Sequence, residues 1–467
     1  MKLNLKRMLL PALACSMIVP LNSFATNGYF LIGFGSKSRS MGGTGVAYNM
    51  NGMAAAFNPA TMTDSGNSFD IGGDFFRPEV AVKHNSGLLG QTDETSNHDK
   101  FIVPAMGGVY HWNDKITLGA AVIGAGLKTE FNQTVNNSAC TAAAATGGCS
   151  ATVFNIFNTP EISESEAGVE LYQIQMTPSI AYKLNDQHSV GATLVMAGQY
   201  FRAEGLEDFG TAGFTSGTTA STQYEAQQGL TGVGFSHSFG LGYRLGWLGK
   251  FLKDNLSLGV NYSARVHMSK FARYDKLFAE QGDFDIPENF TFGVAYNFTP
   301  KITGIMDFQR INYSDIASVG NPGPDVNNPS EFFSLCPGTV KDSCLLGGAN
   351  GLGFGWTDQT IIKLGVNWQY TEQLAFRAGF NHGDSPIPED QVLFNMLAPA
   401  TVEDHLTLGA EYKFNKDFWL SVSYVHAFLK TIKGPTVFPV GTAGITGSNA
   451  AIAMKQDSLG ATLSIRF

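Results

Sequence analysis

Histidine, cysteine and glycine are the residues of this chain whose types and spacing could support chemistry. A hydrolytic site would need a nucleophile with a base, or a pair of carboxylates, at one place, and no Gly-x-Ser-x-Gly elbow is present. The histidines are scattered along the whole chain, at His84, His98, His111, His188, His237, His267, His382, His405 and His426. The pattern therefore does not favour an enzyme.

Four cysteines after the N-terminal segment form two pairs, each of which encloses a short stretch rich in small residues or proline. The pairs are Cys140 with Cys149 and Cys336 with Cys344. In an exported protein such pairs predict two local disulfides. A zinc site is the alternative, but neither pair has two-residue spacing or a nearby histidine pair. We expect no metal and no other cofactor.

The first 25 residues predict export of the chain. Three basic residues precede an apolar run at 8–19 and a small-x-small site at 23–25, which is the pattern of a cleaved secretory signal peptide. A lipoprotein signal at Cys15 is the alternative, but Ala12 stands where such signals usually have leucine. The mature chain is expected to start near Thr26.

Charge and apolar content exclude two classes of protein. Removal of residues 1–25 lowers the count of Lys and Arg from 30 to 27 against 39 Asp and Glu, which gives a formal charge of −12. An acidic balance argues against nucleic acid as a partner, because a phosphate backbone needs a basic footprint. No later stretch reaches the roughly eighteen apolar residues of a membrane helix, so a helical inner-membrane protein is excluded. Abundant glycine and aromatic residues favour strands and turns.

Alternation dominates the chain from residue 68 onward and predicts β-strands. In the last strand, apolar residues occupy every second position from Leu459 to Phe467, and small or polar residues and one arginine occupy the others. The same split recurs at 405–414 and at 256–268, where Val266 and Met268 fall on the apolar face. Fourteen strands are predicted, at about 68–83, 101–112, 115–130, 169–184, 187–205, 232–246, 254–271, 286–298, 301–314, 357–370, 373–384, 402–414, 417–432 and 454–467.

The connections between these strands alternate between short and long. Only the turn near 247–253 is longer than the other short polar turns, which are at 112–115, 184–187, 298–301, 370–373 and 414–417. The long connections are at 84–100, 131–168, 206–230, 272–285, 315–356, 385–401 and 433–453. This parity predicts an antiparallel barrel with periplasmic turns and extracellular loops. Both cysteine pairs then fall in extracellular loops.

The two faces of the strands favour a barrel in a membrane over a soluble sandwich or barrel. A closed sheet of this size would enclose a wide lumen that suits the polar face, and only lipid would suit the apolar face outside. Arg265, Lys363 and Arg466 are on the lumenal face in this phase. Aromatic residues cluster beside the short turns, as expected at a lipid headgroup boundary: Tyr110, Trp112, Tyr182, Phe298, Trp368, Tyr370, Tyr412, Phe414 and Trp419.

Residues 26–67 do not alternate and are predicted to form a plug inside the barrel. The run at 33–47 is dominated by small residues, which let backbone segments pack closely. A phosphate-binding loop is the alternative, but no strand precedes the run and its Gly-Lys-Ser/Thr ending is absent. The predicted organisation is a signal peptide (1–25), an N-terminal hatch (26–67) and a transmembrane β-barrel (68–467).

Several stretches of the chain, in order, resemble the FadL family, the outer-membrane transporters of long-chain fatty acids and aromatic hydrocarbons. Asn58, Pro59 and Ala60 resemble the hatch motif of that family, and further matches lie at 126–132, 181–185, 376–380 and 384–388. The closing strand with its terminal Phe467 resembles the assembly signal of outer-membrane barrels. The resemblance implies an all-β fold, a 14-stranded antiparallel transmembrane β-barrel with a small, mostly helical N-terminal hatch that plugs the lumen.

The resemblance also implies a path for a ligand. In the family, an apolar groove between the third and fourth extracellular loops holds the ligand first, and a kink in the third strand opens a lateral gap. Gly124 and Gly126 match the kink, and ordinary strand packing is the alternative for them. The groove candidates lie in two loops, which could instead use them as a core of their own: Phe209, Phe214, Phe271, Tyr274, Leu277, Phe278 and Phe284.

The expected function is therefore passive transport of a hydrophobic small molecule, a fatty acid or a hydrocarbon, across the outer membrane of a Gram-negative bacterium. A general diffusion porin and a surface receptor or adhesin are the alternatives. The expected partners are that ligand, the lipid bilayer with lipopolysaccharide, and the barrel-assembly machinery, and the chain is expected to be a monomer. The sequence does not distinguish a fatty acid from an alkane or an aromatic ligand.

Overall fold

The computed structural model describes residues 27–85, 91–132, 134–136, 152–157, 166–211, 228–324, 342–436 and 448–467. Within these ranges, fourteen antiparallel strands form one closed sheet around a lumen. The first strand pairs with the last, from Ser68 against Arg466 to Asn85 against Asn449, and this pairing closes the barrel. The predicted fold class and number of strands are confirmed. The predicted signal peptide lies outside the described residues.

Two of the fourteen strands are interrupted. The strands are β1 Ser68–Asn85, β2 Phe101–His111, β3 Ile116–Phe131, β4 Ala167–Met176 with Ser179–Lys183, β5 His188–Glu204, β6 Ser236–Phe251, β7 Leu256–Ser263 with His267–Met268, β8 Asn289–Thr299, β9 Ile302–Ile311, β10 Gln359–Gln369, β11 Leu374–Gly383, β12 Asp404–Lys413, β13 Phe418–Pro435 and β14 Asn449–Arg466. The break in β4 falls at Thr177 and Pro178, and proline has no N–H to donate to a ladder.

The outward face of the wall is apolar, as the alternation predicts. In β12, Leu406 and Leu408 are 46% and 50% exposed, whereas His405 and Thr407, which alternate with them, are fully buried on the lumenal side. Successive side chains of a strand point to opposite faces, so this pattern separates a lipid-facing surface from a polar lumen.

Most of the aromatic residues beside the short turns are exposed, as an interfacial belt requires. Trp112 and Phe298, for example, are 66% and 65% exposed. Trp419 is an exception, and its assignment to the belt is wrong. The Arg466 guanidinium lies 3.6 Å from the centroid of the Trp419 ring, and the indole Nε1 is buried.

The turn between β6 and β7 is short, so the prediction of a longer turn near 247–253 is wrong. β6 continues to Phe251, and the chain reverses over Leu252, Lys253 and Asp254, all of which have positive φ. Alternation fails as a guide here because Leu248, an apolar residue, is buried on the lumenal side.

The facing of β7 reverses at its interruption, so the prediction for residues 264–268 is wrong. The pairing with β6 shifts after Ser263, and Val266 forms only an isolated bridge with Ile286. Val266 and Met268 are therefore buried together on the lumenal side. Arg265 points away from the lumen, and its Nε lies 2.6 Å from a carboxylate oxygen of Asp285. Its predicted lumenal position is wrong for the same reason.

One part of the wall rises above the rest on the extracellular side. β14 pairs with β1 on one side and with β13 on the other, as far as Asn449, Asn85 and Pro435. The segment Gln91–Thr95 adds a strand to β1. The last strand therefore begins earlier than the predicted residue 454. A separate small hairpin pairs Thr134–Asn136 with Thr152–Phe154.

Residues 27–67 form no strand of the wall and lie inside the lumen. We call these residues the hatch; their helices are short, at Gly35–Arg39, Asn51–Met53, Ala54–Phe57 and Pro59–Asp64. Further short helices lie in the extracellular loops, at Glu207–Thr211, Ala279–Gly282, Tyr313–Asp315, Ala317–Gly320, Asp342–Cys344, Glu389–Gln391 and Val392–Asn395. No helix in the described part of the chain is long and apolar enough to cross a membrane.

Glycines on the lumenal face allow the backbone of the hatch to lie directly against the wall. A Cβ at Gly379 would overlap the backbone of Met41 and Gly42. Several of these glycines face each other across neighbouring strands, in the pairs Gly191 with Gly246, Gly259 with Gly293, and Gly365 with Gly379. The high glycine content thus shapes the lumen to the hatch.

Candidate functional site

A cavity of about 80 Å³ lies between the hatch and the wall. Its hatch side is largely apolar and comes mainly from residues 29–34 with Ala56 and Phe57. Its wall side is largely polar, with Gln173, Gln175, Arg244, Asn261, Ser263, Asn289, Thr291, Asp307, Gln309 and Lys363. An engineered cavity that binds benzene has about 150 Å³, so entry of a ligand requires the hatch residues to shift.

Two buried cations of the wall line this cavity. The Arg244 guanidinium donates to the carbonyl oxygens of Ala55 at 3.2 Å and Ala56 at 2.6 Å, and its Nε has no hydrogen-bond partner. The Lys363 ammonium donates to the Ile32 carbonyl oxygen at 2.9 Å. Among the described residues, neither cation forms an ion pair with a carboxylate. Lys363 lies opposite Asp307 across the ladder of β9 and β10, and that carboxylate also lines the cavity, whereas backbone carbonyls alone stabilise the charge of Arg244.

The sequence prediction found one of these two cations. Lys363 is lumenal as predicted, whereas Arg466 lies away from the cavity and donates to the Asn51 amide oxygen at 3.0 Å. Arg244 was missed, although a signal was present. Between positions 236 and 248 of β6 it is the one charged residue on the lumenal face, which there also has Gly240, Gly242 and Gly246.

The predicted hatch motif anchors the hatch to the wall. The Asn58 side-chain amide donates to the carbonyl oxygens of Val46 at 2.8 Å and Trp247 at 2.9 Å, and its oxygen accepts from Ala60 N at 3.0 Å. Pro59 begins the next short helix, where a missing N–H has no cost. Asn58 thus joins two segments of the hatch to strand β6.

The ladder between β2 and β3 stops halfway up the wall. The last pair is Ala105 with Ile123, and the next residue of β2 is Pro104, which has no N–H for a continued ladder. Above this pair, residues 101–104 of β2 remain bonded to β1, and residues 124–131 of β3 remain bonded to β4. We call the gap between residues 101–104 and 124–129 the window.

The two predicted kink glycines are at the lower corner of the window. Gly124 lines the cavity, and Gly126 has a φ of 156°. Both remain paired with β4, opposite Ile174 and Tyr172. The ladder of β3 is therefore interrupted only on the β2 side, and Gly124 and Ala125 at the interruption line the cavity.

The groove candidates of the sequence are brought together, but in a buried core rather than on an exposed loop. Phe209, Phe271, Tyr274, Phe278 and Phe284 are all buried, and Leu277 packs against them. The Phe278 ring lies 4.9 Å from the Phe284 ring, between centroids. Phe209, Leu277 and Phe278 line an apolar cavity of about 30 Å³ under the loops. Phe214 lies outside the described residues.

Tyr274 is the polar member of this core. Its hydroxyl donates to the Gly234 carbonyl oxygen at 2.8 Å and accepts from Ala203 N at 3.0 Å. Burial raises the pKa of Tyr274 to about 12, so the group stays protonated and keeps loop 272–285 attached to the end of β5.

Comparison with known proteins decides the family. A family model described as "Outer membrane protein transport protein (OMPP1/FadL/TodX)" matches residues 157–437, which is more than half of the chain. The chain belongs to this family. Its place is accordingly the outer membrane of a Gram-negative bacterium.

Relatives of this FadL/TodX family protein extend the match over most of its length. The long-chain fatty acid transport protein of Escherichia coli O6:H1 is 24% identical over 428 residues, 84% of this chain and 86% of the relative. That of Salmonella typhi is 25% identical over 444 residues, 89% and 93% of the two chains. The solved toluene transporter TodX of P. putida has a TM-score of 0.64 at 18% identity and covers 94% of this chain and 99% of that chain.

The predicted cysteine pairs of this family member are described only in part. Cys344 is disulfide-bonded, and its pairing with Cys336 stays a prediction, since Cys336 lies outside the described ranges. Cys140 and Cys149 also lie outside them. Where side chains are described, no three His, Cys, Asp or Glu residues are grouped as metal ligands would be.

Proposed function

We propose that this FadL/TodX family protein carries a hydrophobic small molecule, a long-chain fatty acid or a hydrocarbon, across the outer membrane by passive diffusion. The ligand collects in the apolar core of the extracellular loops, moves to the cavity between the hatch and the wall, and leaves sideways through the window. The observation that carries this proposal is the end of the β2–β3 ladder directly beside the cavity.

A lateral exit suits the physical chemistry of such a ligand. An alkyl chain gains roughly 0.8 kcal/mol for each methylene taken out of water, so it would be slow to enter a wet pore. The hatch also occupies the lumen and is bonded to the wall on several sides, for example by Asp307, which accepts from Gly45 N at 2.7 Å and Val46 N at 3.1 Å. A path through the wall avoids both obstacles. No energy source is needed if the ligand is consumed inside the cell.

The charge of the cavity favours an anionic head group. Arg244 lines the cavity with no carboxylate partner within ion-pair distance among the described residues, whereas Lys363 lies opposite Asp307, which lines the cavity as well. A fatty acid carboxylate would supply that partner and form charge-assisted hydrogen bonds. A hydrocarbon would leave both cations as they are. We therefore place long-chain fatty acids ahead of hydrocarbons as the ligand class.

Uptake by cells that carry or lack this gene tests the proposal, with oleate, hexadecane and toluene as ligands. The gene should increase uptake of oleate most. Equal uptake of all three by both strains would remove the transport function.

Two variants assign roles to the cavity and the window. Arg244→Met with Lys363→Met should lower oleate uptake about tenfold or more, the effect of one lost charge-assisted pair, while uptake of toluene changes little. Gly126→Val, which places a side chain at the window corner, should lower uptake of every ligand. Arg466→Met is the matched control, because that cation does not line the cavity.

The general porin is separated by conductance. A porin has a wide polar lumen, so removal of residues 27–67 should leave its conductance almost unchanged. We expect that deletion to turn a closed barrel into an open one in planar bilayers. An intact protein that already conducts like a porin would contradict the transporter.

A further inference from the structure

A short segment crosses the top of the window. Residues 96–100, here called the strap, follow the segment Gln91–Thr95 and lead into β2 at Phe101. Below the strap, β1 and β3 are separated by the window, where β2 is bonded only to β1. The window is therefore framed on all four sides, by β2, β3, the Ala105–Ile123 pair and the strap.

The strap is bonded to both sides of the window. On the β3 side, Asn97 N donates to the Glu130 carbonyl oxygen at 2.9 Å, and Glu130 N donates to Ser96 Oγ at 3.1 Å. On the β1 side, Ser96 N donates to the Val80 carbonyl oxygen at 2.9 Å. The Arg77 guanidinium also lies 3.4 Å from the Asp99 carboxylate.

Side chains strengthen the junction with β3. The Asn97 amide donates to the Asn132 amide oxygen at 2.7 Å, and the Asn132 amide donates back at 3.4 Å. His98 Nδ1 lies 3.2 Å from the Glu130 carboxylate. These contacts lie at the very end of β3, several residues beyond the last pair of its ladder with β2.

An apolar space lies directly behind the upper part of the window. A cavity of about 30 Å³ is lined by Pro78 and Val80 of β1, Leu127 and Thr129 of β3, and Met454 of β14. The strap bridges the same two strands, β1 and β3. Any change in its length or attachment therefore changes the distance between the walls of this cavity and of the window.

We propose that the strap is the specificity-determining element of the exit: it fixes the distance between β1 and β3 and so limits the cross-section of the ligands that pass. This inference rests on the proposed lateral transport. Asn97 and His98, with Asn132 and Glu130 as their partners, are positioning residues that hold the frame. Ligands wider than an alkyl chain or a single ring are excluded because the frame does not yield.

The test compares narrow and wide ligands of the same chemistry. The pairs are oleate with pyrenedecanoate, and toluene with pyrene, measured as uptake by cells or by proteoliposomes. In the variant Asn97→Ala with Asn132→Ala, the ratio of wide to narrow uptake should rise about fivefold, the factor expected from loss of one neutral hydrogen-bonded pair. His98→Asn with Glu130→Gln should raise the same ratio and serves as a second variant if the first does not fold.

The matched control is His382→Asn with Asp404→Asn. His382 Nδ1 lies 2.7 Å from the Asp404 carboxylate at the same level of the wall, but between β11 and β12, away from the window. The ratio should stay at the wild-type value in this variant. Folding of each variant is checked by the shift in electrophoretic mobility on heating that is expected of folded barrels.

The outcomes separate this inference from the proposed function. A rise in the ratio in the strap variants, but not in the control, supports the strap as the limit on ligand width. Wild-type uptake together with an unchanged ratio in a folded strap variant overturns the strap and leaves transport in place. If the wild-type gene adds no uptake of any ligand, transport and strap both fail.

Discussion

At the scale of single residues, the hatch is held by buried polar groups as much as by apolar contact. The Arg39 guanidinium lies 3.0 Å from the Asp74 carboxylate, and both side chains are almost fully buried. Asp307 accepts two backbone N–H groups of the hatch. The same alternation that directs polar residues of the wall inward therefore supplies the anchors of the hatch, and their ion pair and hydrogen bonds fix its orientation.

Asn58→Ala should weaken the attachment of the hatch. The substitution leaves the carbonyl oxygens of Val46 and Trp247 and the N–H of Ala60 without partners in a buried place, a cost of about 3 kcal/mol. We expect faster proteolysis of residues 27–67 and a lower unfolding temperature in detergent. Asn113→Ala is the control, since that residue accepts two N–H groups in an exposed turn. An equal effect of both substitutions would contradict the anchoring role.

Asp283 should make the extracellular loop 272–285 sensitive to pH. Burial, and secondarily the charge of Asp285, raise the pKa of the Asp283 carboxyl to about 6, above the value near 3.9 of an unfolded chain. A raised pKa in an acid means that the charged form destabilises the loop, so this cost is full above about pH 6 and disappears as the pH falls toward 4. The protection factor of the loop amides, in which the intrinsic pH dependence of hydrogen exchange is divided out, should therefore rise over that interval.

Asp283→Asn should abolish this pH dependence of the protection factor and keep the protection factor high at neutral pH. The amide cannot ionise, and it preserves the shape of the side chain. The variant Asp93→Asn, at an exposed carboxylate in the segment Gln91–Thr95, should leave the behaviour of the loop unchanged. Equal protection factors of the loop at pH 4 and pH 7 in the wild type would refute the assignment to Asp283.

At the scale of elements, the molecule is two surfaces shaped to each other. The lumenal face of the wall has glycines where the hatch backbone approaches, and the hatch has alanines and methionines where it meets the wall, in a cluster that includes Met53, Ala54 and Met62. Small residues allow close approach, and methionine fills irregular space. The window lies where this ring of contacts is incomplete, because β2 and β3 separate there.

Gly379→Ala should displace the hatch, whereas Gly198→Ala should not. A Cβ at Gly379 would overlap Gly42 N and Met41 Cα, which are backbone atoms that cannot rotate away. A Cβ at Gly198 would make only ordinary contacts, 3.6 Å from Ile174 and Phe239. Overpacking typically costs about 1–3 kcal/mol. Thermal unfolding of both variants in detergent measures the difference, and equal stabilities would contradict the close fit.

At the scale of the whole molecule, a band of apolar side chains surrounds the barrel and gives way to ion pairs at its extracellular edge. Leu406 and Leu408 on β12 face outward. Asp404, two residues before Leu406 on the extracellular side, is paired with His382. On β14, Leu459 faces outward, and Asp457, two residues nearer the extracellular side, is paired with His426. Lipid covers the band and water meets the charged edge, so the membrane sets the vertical position of the barrel.

Leu408→Lys should be more costly than Phe414→Lys. Both residues face outward, but Leu408 lies in the middle of β12 and Phe414 beside a periplasmic turn. A lysine at the midplane of a bilayer costs about 2–4 kcal/mol, and one near an interface about 1 kcal/mol or less. Refolding into lipid vesicles with denaturant titration measures both. Equal costs would mean that the apolar band does not face lipid.

The sequence by itself determined the barrel. Alternation is a local property with a period of two residues, and it follows the division between lipid and lumen strand by strand. The parity of loops follows from the same strand pattern, whereas the Asn58-Pro59-Ala60 hatch motif was recognised through its resemblance to the FadL family. β7 is interrupted at 264–266, and the alternation of the residues before the break predicted the wrong facing for the residues after it.

The proposed path of the ligand, by contrast, rests on the tertiary structure. The end of the ladder at Ala105 and Ile123, the placement of Arg244 against the hatch, and the strap across the window all depend on contacts between residues far apart in the chain. No local pattern encodes that β2 ceases to pair with β3 just before Gly124, or that the aromatic residues of two loops share one buried core. Such contacts are set by how the closed barrel and its hatch pack together, and sequence periodicity carries no information about them.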